Sequence, residues 1–234
     1  MAADIHAILF DKDGTLIDFE KTWTPAYRAI ADELEGVAGV AGLGDRLLAR
    51  AGYHGDVLDP DALLVSGTNE EIVALWAAEP ELADIGDIAA RVDRVFHDHA
   101  ARAPAAVDDL AGLLARLRGR GLKLGIATND STAAATSWVA AAGFAATFDF
   151  IAGADAGHGG KPGPGMVHAF CASVGIAAGA VALVGDSVHD MQTARAAGCG
   201  LAVAVLTGVA GRDWLAPHAD VVIASIAELE GVLS

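Results

Sequence analysis

The chain has 234 residues, 53% of them hydrophobic, and 31 acidic against 15 basic side chains give it a formal net charge of −16. That length can bury a large core, as one big domain or as one domain with a modest insert. A surface this acidic argues against nucleic-acid backbones and anionic lipid as partners, and no apolar run approaches the roughly 20 residues of a membrane-spanning helix.

Residues 5–10 are a short apolar run that ends at Asp11, which predicts a buried strand. Residues 17–102 then show helical patterns and no convincing strand. Helices are expected over 23–34, 45–51, 69–78 and 85–101, joined by loop-rich stretches at 36–44 and 52–67. From residue 104 onward helix and strand alternate. Helices are expected over 107–117, with Gly119 and Gly121 as the stop, over 131–142, over 164–174 with Pro164 in the first turn, and over 187–197. Strands are expected at 122–127, 148–152, 181–184, 201–206 and 221–223. The alternation implies an α/β fold, a Rossmann-like, doubly wound parallel sheet covered on both faces. Residues 1–16 and 103–234 would form this core, and 17–102 an inserted, all-helical subdomain.

The start of the chain carries no basic segment, and Asp4 and His6 interrupt any apolar region, so a cytoplasmic protein is expected. Cys171 and Cys199 have no metal-ligand spacing and read as free thiols.

The chemically capable residues fall at strand ends: Asp11 and Asp13 after the first, Thr128 and Asn129 after the second, Asp186 and Asp190 after the fourth. The carboxyl ends of parallel strands share one edge, where ligands bind, so these stretches should converge. Three carboxylates brought together repel one another unless a cation neutralises them. Hard oxygen ligands point to magnesium, and a carboxylate-rich magnesium site commonly receives a substrate phosphate.

These residues resemble the four motifs of the haloacid dehalogenase superfamily, in its phosphatase branch near the phosphoglycolate phosphatase-like group. The motifs occur in order: Asp11-Lys12-Asp13-Gly14-Thr15-Leu16, then Thr128-Asn129, then Lys161-Pro162-Gly163-Pro164, then Gly185-Asp186-Ser187-Val188-His189-Asp190. The insert matches the family's helical cap in position and size. The resemblance implies a Mg2+-dependent phosphatase acting on a small-molecule phosphate ester, phosphoglycolate-like or a sugar phosphate. It implies that Asp11 attacks phosphorus and forms an aspartyl-phosphate, while Asp13 protonates the leaving alcohol and then activates water. Asp11, the Asp13 backbone carbonyl and Asp186 would hold the metal. Thr128 and the Asn129 backbone would bind phosphate oxygens, Lys161 would balance charge, and Asp190 would order Lys161 or a metal-bound water.

Several features have plainer readings. Ser187 to Asp190 is also a good capping box for the helix that follows. Gly159-Gly160-Lys161 is not a nucleotide-binding loop, because Pro162 stands where Ser or Thr should follow the lysine. Lys12, between the two aspartates, is expected to point away from both along an extended strand. His189 is expected to face the surface or the cap. His97 and His99, two apart on a helix, read as surface residues. Trp23, Trp76, Trp138 and Trp214 read as packing residues. Lys21, Arg28, His54 and Arg91 are candidates for selecting the substrate. Rival functions are a phosphosugar mutase of the beta-phosphoglucomutase type, phosphonate cleavage, for which Lys21 would be the one lysine in the insert, and a non-catalytic phosphate-binding module. Dehalogenation is disfavoured by Asp13, an acid that chemistry does not need.

Overall fold

The computed structural model describes residues 4–55 and 57–233. The first three residues, part of the basis for expecting no leader, lie outside the described residues. The chain begins with β1 (Ala7–Phe10), whose four apolar residues are fully buried. A strand covered on both faces needs such a run in place of an alternation.

The next helix, α1 (Phe19–Ala38), starts ahead of the predicted residue 23. Its start is set by Asp18, whose side chain accepts a hydrogen bond from Lys21 N at 3.0 Å. It is followed by α2 (Leu43–Arg50), β2 (Tyr53–His54), β3 (Val57–Leu58), α3 (Leu63–Ser66), α4 (Asn69–Ala77) and α5 (Ile88–Ala100). The antiparallel β2–β3 ribbon lies in the stretch expected to be loop. These helices bury a hydrophobic cluster of their own around Trp23, Tyr27, Ile30, Leu47, Trp76 and Phe96.

The rest of the chain alternates as its pattern predicts: α6 (Leu110–Gly119), β4 (Lys123–Ala127), α7 (Thr132–Ala141), β5 (Phe150–Ala152), α8 (Gly165–Val174), β6 (Val181–Gly185), α9 (Val188–Ala197), β7 (Leu201–Val205), α10 (Arg212–Leu215), β8 (Val221–Ile223) and α11 (Leu229–Val232). The six strands of the sheet are all parallel, in the order β5-β4-β1-β6-β7-β8. Alternate residues feed two cores. Ile8, Phe10, Leu124 and Ile126 pack with Leu113 of α6 and Trp138 of α7. Ala7, Leu9 and Leu183 pack with Phe170 of α8 and Met191 of α9. The result is a doubly wound α/β fold of the Rossmann kind.

The strand order fixes where chemistry can occur. The chain lays β4 and β5 to one side of β1, and β6, β7 and β8 to the other, so the winding reverses beside β1. The crevice at that reversal, at the carboxyl ends of the strands, is where such sheets bind ligands. Asp11, Thr128 and Asp186 follow β1, β4 and β6 and therefore stand side by side.

Trp23, Trp76 and Trp138 are buried, as expected of packing residues. Trp214 is not: it is 48% exposed on the short surface helix α10, which turns Leu215 inward in its place. Cys171 and Cys199 are free thiols. Among the described residues no helix is long and apolar enough to cross a membrane.

Burial opposes ionisation of Asp18, but hydrogen bonds from the Lys21 ammonium and backbone hold its carboxyl below its ordinary value of 3.8. A depressed value means stability that is present above pH 3.8 and lost as pH falls through the folded value. Asp18→Ala should cost about 1 kcal/mol at neutral pH through loss of the helix cap. Urea unfolding of both proteins across pH should show that difference constant above about pH 4 and shrinking below it.

Candidate active site

Asp11 leaves β1 at its buried end, and the chain then coils tightly. The backbone N–H groups of Thr15, Leu16 and Ile17 all donate to the Lys12 carbonyl. Gly14 makes the turn possible with φ +77°, and a Cβ there would collide with the Asp186 carboxylate. Gly208 meets Asp186 from another side, where a Cβ would also strike Oδ2. Both positions require glycine for close approach.

The structure brings all seven predicted site residues together. Asp11, Thr128, Asn129, Lys161, Asp186 and Asp190 line one cavity of ≈ 50 Å³ with Asp13. Lys161 Nζ lies 2.5 Å from Asp11 Oδ1 and 2.6 Å from Asp190 Oδ1. The other Asp190 oxygen accepts from Ser187 N at 3.1 Å and Ser187 Oγ at 2.6 Å. The capping box of α9 is therefore also the bracket that holds Asp190 against Lys161. Thr128 Oγ1 donates to Asp13 Oδ2 at 3.1 Å. Asn129 turns its side chain sideways: Nδ2 donates to the Ser66 carbonyl at 2.8 Å, and Oδ1 accepts from Lys161 N at 2.8 Å.

Carboxylate oxygens of Asp11, Asp186 and Asp190 lie within 4.8 Å of one another, all buried. Burial, with repulsion from Asp190 and Asp13, raises the Asp11 carboxyl to about 7 even against the opposing pull of Lys161. Burial and the neighbouring Asp11 push Asp186 well up. For Lys161, burial favours discharge, but Asp11 and Asp190 outweigh it and keep the ammonium charged. Among the described residues no cation lies within ion-pair reach of Asp186. This all-oxygen donor set, short of positive charge, fits a hard divalent cation.

Lys12 overturns its expectation. It does not point away from the aspartates. Fully buried, its Nζ lies 2.7 Å from Asp13 Oδ1 and 3.0 Å from Asp130 Oδ2, and 5.4 Å from the centre of the Trp23 ring. The reason is geometric: β1 ends at Phe10, so strand alternation no longer applies once the chain coils. Two further residues join the site that motif reading passed over. Asp130 is the second counter-charge of Lys12, and burial raises its carboxyl against the pull of that lysine. Trp23 Nε1 donates to Asp13 Oδ1 at 2.7 Å, so a residue expected only to pack also grips the second aspartate. A buried lysine at position 12 demands carboxylates nearby, and Asp13 and Asp130 supply them.

The remaining candidates fall elsewhere. His189 is half-buried at the cavity mouth with an unpartnered Nδ1. Lys21, Arg28, His54 and Arg91 do not line the cavity. Lys21 pairs with Asp18, Arg28 stacks on Tyr53, His54 faces Asp59 and Arg91 pairs with Glu33. His97 and His99 are half-buried on α5 and belong to no metal-competent cluster among the described residues.

A parallel α/β sheet whose central strand ends in a buried carboxylate, paired with a lysine and flanked by further carboxylates, defines an enzyme of the anion-handling, metal-competent kind. A family model described as haloacid dehalogenase-like hydrolase matches residues 5–198. The chain belongs to that family and is a phosphatase. It is 30% identical over 205 residues to the phosphoglycolate phosphatase of Escherichia coli (strain K12), covering 84% of this chain and 79% of that protein. It is 28% identical over 226 residues to the phosphoglycolate phosphatase of Yersinia pseudotuberculosis serotype I, covering 96% and 91%. A solved HAD phosphatase from Thermococcus onnurineus shares the fold over 98% of both chains, with TM-score 0.71 and 22% identity.

Lys12→Met would leave half-buried Asp13 and buried Asp130 without their shared cation. Removing one partner of a buried pair costs about 3–5 kcal/mol. The urea midpoint of Lys12→Met should fall accordingly, and adding Asp130→Asn should recover part of the loss. A loss within the error of the measurement would mean the pair is not buried in solution.

Proposed function

We propose that the protein is a magnesium-dependent phosphomonoesterase that works through an aspartyl-phosphate on Asp11. The observation that carries this reading is the Asp11 carboxylate, anchored by Lys161 and set beside Asp186 at the switch point of the sheet. Asp11 attacks phosphorus, and the bond from its oxygen to phosphorus forms as the ester P–O bond breaks. Asp13 gives its proton to the departing alkoxide. In the second half, Asp13 takes a proton from a water whose oxygen attacks phosphorus. The bond to Asp11 then breaks and inorganic phosphate leaves.

Asp11, the Asp13 backbone carbonyl and Asp186 would hold magnesium, which supplies the positive charge that lets a carboxylate face a phosphate dianion. Lys161 adds charge beside the nucleophile, and Asp190 fixes its ammonium in place. The Thr128 hydroxyl, which donates to Asp13 Oδ2 at 3.1 Å in this structure, and the Asn129 backbone N–H would bind phosphoryl oxygens. The Asn129 side chain is already committed to Ser66 and Lys161.

We take residues 1–16 and 103–234 as the catalytic core and 17–102 as the cap, and place the enzyme in the cytoplasm. The substrate is a small phosphate ester, as in the relatives named for phosphoglycolate. Phosphonate cleavage through a cap lysine is not favoured, because Lys21 is turned outward to Asp18 and lies outside the cavity.

Purified protein should release phosphate from small phosphomonoesters only when magnesium is present. Asp11→Asn should lower turnover by about 10³-fold or more while circular dichroism shows an intact fold. Undiminished turnover in that variant would sink the mechanism.

A further inference from the structure

We infer that the alcohol half of the substrate carries no negative charge. This rests on the phosphatase reading and concerns what the cap presents to the same site. Over the carboxylates and Lys161, the cap lays a wall of Phe19, Trp23, Tyr27, Leu64, Ile72 and Phe96. Trp23 stacks on Tyr27 with ring centres 5.8 Å apart, and Phe96 meets both rings edge-on. The Tyr27 hydroxyl is already committed to the Leu64 carbonyl. No lysine or arginine of the cap lines this cavity. Arg91 and Arg94 pair with Glu33, Arg46 and Arg50 with Glu79, and Lys21 with Asp18.

The two buried lysines are equally committed. Lys161 lies between Asp11 and Asp190, and Lys12 between Asp13 and Asp130. The N-terminus of α4 reaches the cavity at Asn69, but its capping box sets the Glu71 carboxylate on the Thr68 N–H and hydroxyl. A cleft of ≈ 590 Å³ adjoins the cavity through Ser66, Ser187 and His189. Its charged lining is Asp61, Glu71 and Asp213, against which His189 and His218 are the basic groups.

A carboxylate on the substrate would therefore lose its water to aromatic and aliphatic carbon, next to acidic groups, with Lys161, already shared by Asp11 and Asp190, as the one lysine or arginine among the described residues that line the cavity. That arrangement is strongly unfavourable. A neutral alcohol meets no such penalty, and a cationic one gains from the acidic rim of Asp61, Glu71 and Asp213. The leaving group that suits this cap is neutral or cationic, unlike the glycolate for which the relatives are named.

Three esters of nearly equal size isolate the charge: phosphoglycolate, 2-hydroxyethyl phosphate and phosphoethanolamine, each assayed with magnesium beside p-nitrophenyl phosphate. We expect kcat/KM for the neutral and cationic esters to exceed that for phosphoglycolate at least about tenfold, since juxtaposed like charges cost several kcal/mol. Val65, half-buried on the cavity wall, offers the converse test. Val65→Lys should raise phosphoglycolate relative to the other two, a ratio independent of how much enzyme folds. Equal values in the wild type, a lead for phosphoglycolate, or an unchanged ratio in Val65→Lys each overturn the inference. No turnover of any ester, p-nitrophenyl phosphate included, overturns the phosphatase mechanism itself.

Discussion

Five buried or half-buried carboxylates meet two buried lysines at one edge of the sheet, and much else in the molecule serves that crowding. Two unit charges 4 Å apart interact by about 4 kcal/mol at an effective dielectric constant of 20. Asp11, Asp186 and Asp190 cannot be neighbours unless something outside the cluster holds them there. The parallel sheet does so from below, because β1 sits between β4 and β6 and delivers Asp11 and Asp186 from adjacent strands. The α9 capping box does so from the side, fixing Asp190 by both its backbone and its side chain. Gly14 and Gly208 let the backbone close against Asp186, where a methyl group has no room.

The two lysines divide the cluster into linked halves. Lys161 joins the nucleophile position to the α9 helix. Lys12 joins Asp13 to Asp130, and so joins the first strand to the loop that follows β4. The cap is tied into the same network. Trp23 of α1 donates to Asp13, and the Asn129 side chain reaches the Ser66 carbonyl at the end of α3. Without the Trp23 indole, Asp13 would keep two of its three donors, Lys12 and Thr128.

Much of this was legible in the sequence, because strands and motifs are local. Each of the six sheet strands appears as an apolar run, and three of the four motifs sit at the end of one, while the Lys161 motif lies in the loop between β5 and α8. Glycine marks the helix ends at Gly39, Gly175 and Gly198 with left-handed backbone. What escaped was the set of contacts made across the chain. Lys12 was misplaced by carrying strand alternation past Phe10 into a coil that the chain closes on itself. Trp23 was read as packing because helical periodicity says which face is apolar, and not that an indole N–H is left over to reach Asp13. Asp130 had only its proximity to Thr128-Asn129 in its favour, and an aspartate before a helix start is ordinary turn chemistry. Trp214 shows the reverse error: a large apolar residue on a four-residue surface helix has no opposing layer to bury it.

The same crowding gives the acidic composition a local meaning. Burial, with repulsion from Asp190 and Asp13, carries the Asp11 carboxyl up to about 7 against the pull of Lys161. Lys161 alone does not prevent this, because it is shared with Asp190. An all-oxygen cluster short of positive charge suits a hard divalent ion. The two buried lysines and the metal-competent carboxylates all lie at the sheet edge. The division between a charged floor and an uncharged aromatic roof follows from placing every buried cation where a carboxylate already needed it.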